Sequence, residues 1–471
     1  MADYSILVFL LCGLIPTVFC GLFAPKHQAH YNPELDKSSA GPGDPLFLTP
    51  YIEQGQIAQA RQLSQVHGIL GITSYSGFLT VDETFNSNIF FWFFPAQNAN
   101  RSAPLLLWLQ GGPGGSSLFG LFVENGPLYV DRDAQVYSRS ITWNNDYHML
   151  YIDNPVGTGF SFTDSLGGFS TNEDQVATNL YSALTQFFTV FYEYQPNDFY
   201  ITGESYAGKY IPAIGFLIHT MNSQSPKVPI NLVGLAIGDG LCDPVNMFGG
   251  YADLVYQFGM ADENQRDYIQ KVSDEAVQMI TQGNFLGAFK IFDMLMNGDL
   301  YPYPTYFYNI TGSTDYYNIL NTNEPAAYDY YVPFVNRTDT RLAIHVGNLS
   351  YGAQSVQVET SLLNDIMDTV APKLATLMDN YKVMIYNGQL DIIVGAPLSE
   401  RFLTVLSWSG QSEYLVANRT VWKISPSDED VAGYIRQVGK FWQVVVRGAG
   451  HILPYDQPER GLNLIQNFIN S

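Results

Sequence analysis

The sequence predicts an α/β protein with a mostly parallel central sheet and helices on both faces. Two observations lead to this class: short apolar runs alternate with longer amphipathic ones from residue 87 onward, and the alternation returns after residue 380. Strands that alternate with helices form parallel sheets, because each connection crosses one face of the sheet. The predicted strands are SNIFFWFFP (87–95), APLLLWLQ (103–110), HMLYID (148–153), DFYITG (198–203), INLVGLAIGDG (230–240), YKVMIYNG (381–388) and FWQVVVRGAG (441–450). The predicted helices are residues 172–194, which begin with acidic side chains, and a closing helix after Pro458.

The strand and helix alternation stops near Pro244. Residues 245–370 carry polar helical segments and an aromatic, loop-rich stretch, LYPYPTYFYNITG (300–312). We therefore expect one α/β core in two parts, residues 21–244 (with an N-terminal extension) and residues 371–471. The helical and irregular segment 245–370 is expected to be a cap insertion between them.

Composition excludes several classes of protein. Of the 471 residues, 46% are hydrophobic and 14% charged, which suits a globular chain with a large core. The formal net charge is −22, which argues against nucleic acid and anionic lipid surfaces as partners.

The beginning of the chain reads as a secretory signal peptide, residues 1–20. Its apolar run extends from about Ile6 to Phe19, which is shorter than the roughly 20 residues that span a bilayer. We therefore expect no membrane association after cleavage, and a secreted or endosomal/lysosomal protein. Five N-x-S/T sequons agree with that route: Asn100, Asn309, Asn336, Asn348 and Asn418.

Removal of residues 1–20 would leave Cys242 as the only cysteine. No intrachain disulfide is then expected, and the mature chain depends on core burial for its stability. We expect a structural role for this thiol.

The stretch ITGESYAGKY (201–210) predicts a nucleophilic serine. An apolar strand runs through Gly203 to Ser205 and then into a helix-like segment, which is the context of a nucleophile elbow. Ala207 stands where the motif has a second glycine. A G-x-S-x-A pattern also arises by chance, so the assignment depends on finding partners for the serine.

A serine hydroxyl needs an imidazole to accept its proton and a carboxylate to orient that imidazole. In an elbow protein these groups follow in the order Ser, acid, His. The chain has seven histidines: His27, His30, His67, His148, His219, His345 and His451. Of the three after Ser205, His219 falls within the next helix and His345 within the insertion. His451 follows a predicted strand in a glycine-bearing turn, so it is the candidate base.

Asp391 is the candidate acid. It follows the predicted strand 381–386 and the turn Asn387-Gly388, and it lies among apolar neighbours. An aspartate in such surroundings is costly to bury without a partner. The alternative reading is the N-cap of a helix, where aspartate is favoured.

The loop in WLQGGPGGSS (108–117) predicts an oxyanion hole. It follows a strand and has four glycines, as the first oxyanion segment of such enzymes does. The backbone N–H groups of Gly112 and Tyr206 are the expected donors, each typically worth about 3 kcal/mol in the transition state. A phosphate-binding loop is the rival reading, but the G-K-[ST] ending is missing.

Taken together, the motifs resemble those of serine carboxypeptidases, which have the α/β-hydrolase fold, and are closest to the vitellogenic carboxypeptidase-like branch. The resemblance spans most of residues 60–471 and is weakest in the insertion. It rests on WLQGGPGGSS, ENGP (124–127), DNPVGTGFSF (153–162), GESYAGKY (203–210), IGDG (237–240), YNGQLD (386–391) and GAGHILPYDQP (448–458).

The resemblance implies removal of single residues from peptide C-termini by the triad Ser205, Asp391 and His451. It further implies that Glu204 pairs with Glu124. Gln110, Gly111, Glu124 and Glu204 are then the expected ligands of the substrate's terminal carboxylate. Two carboxyl groups in contact cannot both ionise cheaply, so one should keep its proton and activity should peak in acid.

Three positions depart from the pattern of these relatives. Ile452 follows the histidine where relatives can have methionine, which should alter packing more than chemistry. Gln110 stands where many have asparagine, and a misplaced charge-assisted hydrogen bond costs about 1.5–3 kcal/mol. Gly115 stands where many have a disulfide cysteine. We therefore expect the loop around Gly115 to be held by packing alone.

Other functions compete with a carboxypeptidase. A related acyltransferase would use the same Ser205 acyl-enzyme, and a secreted storage or binding protein could keep the fold without activity. A lipase or general esterase would share the triad but would not need the pair Glu124 and Glu204. The sequence contains no metal-ligand cluster or cofactor motif, so no metal and no cofactor is predicted. Peptide or protein C-termini are the expected substrates, and a homodimer is compatible with the sequence.

Overall fold

The computed structural model describes residues 41–300 and 304–471. The predicted signal peptide lies outside the described residues. The strands are β1 (Gln65–Val66), β2 (Ser74–Asp82), β3 (Ser87–Phe94), β4 (Leu105–Leu109), β5 (Leu128–Val130), β6 (Val136–Ser138), β7 (His148–Ile152), β8 (Phe199–Glu204), β9 (Leu232–Gly238), β10 (Lys382–Gly388), β11 (Thr420–Trp422), β12 (Gly433–Val438) and β13 (Phe441–Val446).

In the described part of the chain, the helices lie between and beside these strands. The α-helices are α1 (Thr49–Glu53), α2 (Ile57–Leu63), α3 (Glu173–Val190), α4 (Ala207–Asn222), α5 (Pro244–Met247), α6 (Tyr251–Gln257), α7 (Glu263–Thr281), α8 (Phe285–Phe292), α9 (Tyr306–Thr311), α10 (Tyr331–Val335), α11 (Thr338–Ala343), α12 (Val356–Leu362), α13 (Ala371–Asn380), α14 (Ala396–Val405), α15 (Gln411–Val416), α16 (Leu453–Asp456) and α17 (Pro458–Ile469). Two π-helices span Gly120–Glu124 and Asp293–Asn297, and 3₁₀ turns span Trp143–Asn145, Leu166–Gly168, Tyr192–Tyr194, Phe248–Gly250 and Ala326–Asp329.

The described strands form one large mixed sheet and a separate β5–β6 hairpin. The strand order of the large sheet is β1-β2-β3-β7-β4-β8-β9-β10-β13-β12-β11. All pairs from β7 to β13 in that order are parallel. The pairs at both edges are antiparallel. The predicted α/β class is confirmed, and all seven predicted strands are present.

Two apolar layers cover the two faces of the sheet. In β3, Phe91 and Phe93 belong to one layer, whereas Phe90 and Trp92 belong to the other. This follows from the period of two residues in a strand, which sends alternate side chains to opposite faces. A continuous apolar run such as β3 therefore occupies a sheet that is buried on both sides.

The start of helix α3 is determined by the side chains at its N-terminus. The Asn172 side chain accepts a hydrogen bond from the Gln175 backbone N–H at 3.0 Å and caps the first turn. Glu173 and Asp174 lie in that turn, where the helix dipole favours negative charge. The helix ends at Val190, and the rest of the predicted helix forms the 3₁₀ turn Tyr192–Tyr194.

The chain between β9 and β10 forms helices α5 to α13 and contributes no strand among its described residues. Part of it covers the carboxyl edge of the sheet, as the site residues below show. Its division from the core at residues 245 and 370 stays a prediction.

Candidate active site

The carboxyl ends of five neighbouring parallel strands, β4, β8, β9, β10 and β13, meet at one edge of the sheet. In open α/β sheets, ligands bind outside this edge. A cavity lies there, which we call the active-site cavity. Core residues Gln110, Gly112, Glu204, Ser205 and His451 line it, together with insertion residues that include Tyr317, Tyr328 and Gln354.

Ser205 lies in a sharp turn between β8 and α4. Its φ is +63°, in the left-handed region that L-residues rarely adopt. Just before the turn, β8 lies so close to β4 that a Cβ atom on Gly203 would be 2.1 Å from the Leu109 carbonyl oxygen. Only glycine fits there. The Ser205 N–H donates to the Gly238 carbonyl at 2.9 Å, which anchors the turn to β9. The strand, turn and helix of a nucleophile elbow are thus present around the predicted serine.

Asp391 and His451 form a buried hydrogen-bonded pair. The distance from His451 Nδ1 to Asp391 Oδ2 is 2.8 Å, and each residue is about 1% exposed. The Ile393 N–H donates to Asp391 Oδ1 at 2.9 Å, and Val394 N–H lies 3.3 Å from both oxygens. Burial lowers the pKa of His451, but the neighbouring charge of Asp391 outweighs it, and the net pKa is raised.

Ser205 and His451 line the same cavity without a hydrogen bond between them. His451 Nε2 is buried and has no hydrogen-bond partner among the described residues. The ring of Tyr317 stacks on the imidazole with centroids 5.0 Å apart and planes 14° apart. The Tyr317 carbonyl also accepts the His451 backbone N–H at 2.7 Å. Nε2 is therefore free to accept a proton from a group in the cavity, and such contacts often tighten only when substrate binds.

The two other histidines that follow Ser205 in the sequence form contacts away from the active-site cavity. His219 Nδ1 lies 3.0 Å from the Tyr381 hydroxyl, and His345 Nδ1 lies 3.0 Å from the Ser76 hydroxyl. Neither lines the active-site cavity.

The glycine-rich loop passes directly against the serine turn. A Cβ atom on Gly111 would lie 2.5 Å from Ser205 Cβ and 2.6 Å from the Tyr206 nitrogen, so this approach requires glycine. Gly112 has a φ of +110°, and Tyr206 is the N-cap of α4. The Gly112 and Tyr206 N–H groups do not donate to any acceptor among the described residues. Both donors of the predicted oxyanion hole are therefore available beside Ser205.

The expectation that packing alone holds this loop is wrong. Segment 353–355 of the insertion runs antiparallel to the loop: Ser116 N–H donates to the Ala353 carbonyl, and Ser355 N–H to the Gly114 carbonyl, both at 2.9 Å. The Gln354 amide adds a bond to the Pro113 carbonyl at 2.8 Å. Backbone hydrogen bonds to the insertion thus hold the loop, a contact that a single sequence does not reveal.

Glu204 lines the cavity, and Glu124 lies beside it. Both are buried, and Gln110 Nε2 donates to Glu204 Oε1 at 2.8 Å. Burial and the charge of Glu204 raise the pKa of Glu124 well above its usual value. Burial raises the pKa of Glu204 to about 7. The pair therefore holds at least one proton in acid, carried by Glu124.

Trp108 fixes the orientation of the Gln110 amide. The indole N–H, which can only donate, lies 2.9 Å from Gln110 Oε1. The NH₂ group must then point toward Glu204. Gly120 leaves room for this indole, because a Cβ atom there would lie 2.1 Å from Trp108 Nε1.

Comparison with known proteins decides the family. The family model described as serine carboxypeptidase matches residues 65–471. The chain belongs to the serine carboxypeptidase family. A probable serine carboxypeptidase CPVL from Homo sapiens is 52% identical over 99% of this chain and 97% of its own length. A vitellogenic carboxypeptidase from Aedes aegypti is 43% identical over 93% and 94%. These relatives confirm the predicted enzyme class and branch.

A solved structure supports the fold of this serine carboxypeptidase. The crystal structure of Kex1Δp, a prohormone-processing carboxypeptidase from Saccharomyces cerevisiae, superposes with a TM-score of 0.75 at 22% identity. The match covers 87% of this chain and 96% of that one. The predicted α/β-hydrolase fold is confirmed.

Sequence reasoning missed two acidic residues at the same edge. The Asp153 carboxylate accepts from the Ser116 hydroxyl at 2.6 Å and from the Phe160 N–H at 2.9 Å, and so ties the glycine-rich loop to the end of β7. Asp239 follows β9 and lies beside Asp391. Both come at the carboxyl end of a predicted strand, and this position was the signal that could have identified them.

The predicted glycosylation sites are mostly accessible. Asn100, Asn309, Asn348 and Asn418 are exposed, whereas Asn336 is half-buried and donates to the Val332 carbonyl at 3.0 Å. No helix in the described ranges is long and apolar enough to cross a membrane.

Several buried acids make the stability of this carboxypeptidase depend on pH. Burial raises the pKa of Asp153 to about 6 and that of Glu173 to about 8. A carboxyl group with a raised pKa binds more protons in the folded state, so its contribution to stability is lost as pH rises. Burial lowers the pKa of His148 and of His345 to about 4. These two histidines make the folded state more stable as pH rises, but only below about pH 6.5, the pKa of an unperturbed histidine.

The free energy of unfolding is therefore expected to fall between about pH 6.5 and 8. Glu173→Gln should reduce that slope by about 1.4 kcal/mol per pH unit, because the amide cannot titrate. Urea unfolding at a series of pH values measures this, with the exposed Glu413→Gln as the matched control. Equal slopes for Glu173→Gln and the parent chain would contradict the assignment.

Proposed function

We propose that this chain removes single residues from the C-terminus of peptides in mildly acidic surroundings, by a Ser205 acyl-enzyme mechanism. The observation that carries the proposal is that Ser205, His451 and Glu204 line one cavity, with Asp391 bonded to His451 and Glu124 beside Glu204. A nucleophile, its base and a group that binds a terminal carboxylate are the parts that this reaction needs.

Acylation begins when Ser205 Oγ attacks the last peptide carbonyl carbon of the substrate. His451 Nε2 accepts the hydroxyl proton, and Asp391 stabilises the imidazolium through Nδ1–H. The Gly112 and Tyr206 N–H groups bind the oxyanion that forms. Collapse of this intermediate breaks the C–N bond, and the departing amine takes the proton from His451.

Deacylation repeats these steps with water. His451 Nε2 accepts a proton from the water that attacks the acyl carbon, and returns it to Ser205 Oγ as the ester bond breaks. The products are the shortened peptide and one free amino acid.

The buried carboxyl pair supplies selectivity for chain ends. A neutral Glu124 carboxyl group, the Gln110 side-chain amide and the Gly111 N–H group can donate to a substrate carboxylate, whereas ionised glutamates would repel it. Loss of the Glu204 proton adds a negative charge beside the substrate carboxylate while Glu124 keeps its own proton, so binding should weaken as pH rises through the pKa of Glu204, about 7. The raised pKa of His451 sets the opposite, acidic limit, because the protonated ring cannot act as a base.

Glu204→Gln tests this role. In the parent chain, KM for a blocked dipeptide with a free C-terminus should rise above about pH 7, while KM for the corresponding dipeptide amide should not. The variant should lose most of this difference between the two substrates. Amino acid release is measured by mass spectrometry across pH.

The exposed Glu413→Gln is the matched control and should retain the parent profile. An identical pH dependence for the free and amidated substrates in the parent chain would refute carboxylate recognition by the pair. Transfer of the acyl group to an alcohol in place of water would favour the acyltransferase alternative.

The same proposal places the enzyme in the secretory pathway, with delivery outside the cell or to endosomes and lysosomes. The exposed sequons support it. Enzymatic removal of N-glycans from the protein made in cultured animal cells should reduce its apparent mass. Substitution of Asn100, Asn309, Asn348 and Asn418 by glutamine should remove that shift, and an unchanged mass in the parent protein would contradict the route.

A further inference from the structure

Asp239 is a buried acid next to the catalytic pair that no step above uses. It follows β9 directly, is 0% exposed, and has a φ of +43°. An aspartate in the left-handed region is held there by its surroundings, here by the bond from its N–H to the Tyr386 carbonyl at 2.7 Å. Its side chain is thereby aimed at the end of β10, where Asp391 follows.

The two oxygens of Asp239 are in different situations. Oδ1 accepts from the Gly388 N–H at 2.9 Å and lies 3.4 Å from Asn387 Nδ2. Oδ2 is buried, and no N–H or O–H group of the described residues donates to it. A buried carboxylate oxygen without a donor is costly, whereas a protonated oxygen with an acceptor nearby is not.

That acceptor is Asp391. One carboxyl oxygen of Asp239, one of Asp391 and a ring nitrogen of His451 all lie within 4.8 Å of one another. Asp391 accepts from the Ile393 and Val394 N–H groups and from His451, so its ionised form is the better stabilised of the two. Two carboxyl groups at this distance share one negative charge, and the proton belongs on Asp239.

The other titratable groups around Asp239 agree with this assignment. Glu204 faces it from the end of β8, Tyr386 from β10, and His451 from the turn after β13. Burial, followed by the charges of Asp391 and Glu204, raises the pKa of Asp239 well above its usual value.

We propose that Asp239 is a positioning residue of the catalytic pair, whose neutral carboxyl group donates a hydrogen bond to Asp391. This rests on the proposed function, since it concerns how the same triad is tuned. The donated bond offsets part of the negative charge on Asp391. Asp391 then stabilises the His451 imidazolium less, and more of the ring stays neutral in acid. His451 can then act as a base in the acidic range in which the Glu124–Glu204 pair binds substrate, although it is paired with a buried aspartate.

Two substitutions separate this role from a merely structural one. Asp239→Gly removes the donor and tolerates the positive φ, whereas Asp239→Asn keeps both a donor and an acceptor in the same shape. The readout is kcat for the blocked dipeptide from about pH 4 to 8, where the acidic limb reports the protonation of His451 in the substrate complex. Unfolding curves establish that each variant is folded, and Asp239→Ala, which also has no donor, replaces the glycine variant if that one is not.

We expect the acidic limb of Asp239→Gly to move to higher pH, with kcat about tenfold lower at pH 5 and nearly unchanged at pH 7.5. Asp239→Asn should have the same acidic limb of the kcat profile as the parent chain, and KM should stay the same in both variants. Coincident limbs in all three proteins, or an equal loss of kcat at every pH, would overturn the inference while leaving the carboxypeptidase assignment intact. Loss of activity in EDTA, restored by a divalent cation, would also overturn it, because the three groups would then be metal ligands. No release of amino acid by the parent protein would refute the proposed function itself.

Discussion

Replacement of Ser205 by alanine is expected to lower kcat by about 10⁶, the size of effect seen when a serine protease loses its nucleophile. The physical reason is that no other hydroxyl can form the acyl bond from the turn between β8 and α4, where the left-handed backbone presents this side chain to the cavity. Release of a C-terminal amino acid from a blocked dipeptide at about pH 5 measures the loss.

The matched control for this substitution is Ser223→Ala, at the exposed end of the same helix. It should leave kcat unchanged within the error of the assay. Both variants should unfold at the same denaturant concentration as the parent chain to within a small margin. Retention of more than a few per cent of activity in Ser205→Ala would show that the nucleophile lies elsewhere.

The second large effect is expected at Asp391. Asp391→Asn should lower kcat by about 10⁴ with a small change in KM. The amide fits the same space, but its NH₂ group would face either His451 Nδ1 or the Ile393 N–H. If it faces Nδ1, the ring must carry its proton on Nε2 and cannot accept one from Ser205.

The control for Asp391→Asn is Asp379→Asn, an exposed aspartate that accepts from the Ser409 N–H at 2.9 Å. Steady-state kinetics on the same dipeptide compares the two. The N-cap of the next helix is Gly395, so Asp391 is not a helix cap. If Asp391→Asn kept kcat within a factor of ten of the parent, Asp391 would not be the orienting acid.

The central strands were predictable because each is a continuous apolar run bounded by polar or glycine residues. The edge strands were not. β2 contains Ser76 and Gly77, and β11 is only three residues long, so neither has the apolar run that marks a strand buried on both faces. The antiparallel pairs β1–β2, β2–β3, β12–β13 and β11–β12 each include a strand that was not predicted.

Two features identified the candidate base and acid. Few histidines follow Ser205 in the sequence, and both residues come after a predicted strand, at the edge where parallel strands end. Contacts between distant segments could not be read in the same way. The hydrogen bonds of residues 353–355 to the oxyanion loop and the approach of Asp239 to Asp391 join parts of the chain more than 100 residues apart. The orientation of the Gln110 amide depends on Trp108, two residues away, whose indole in turn needs the space left by Gly120.

Covalent labelling tests the central claim most directly, namely that His451 activates the hydroxyl of Ser205 in the folded protein. A fluorophosphonate probe followed by peptide mapping should label Ser205 in the parent chain. His451→Ala, shown to be folded by its unfolding curve, should not be labelled. Labelling of another residue, or equal labelling of Ser205 in the folded His451→Ala variant, would contradict the account.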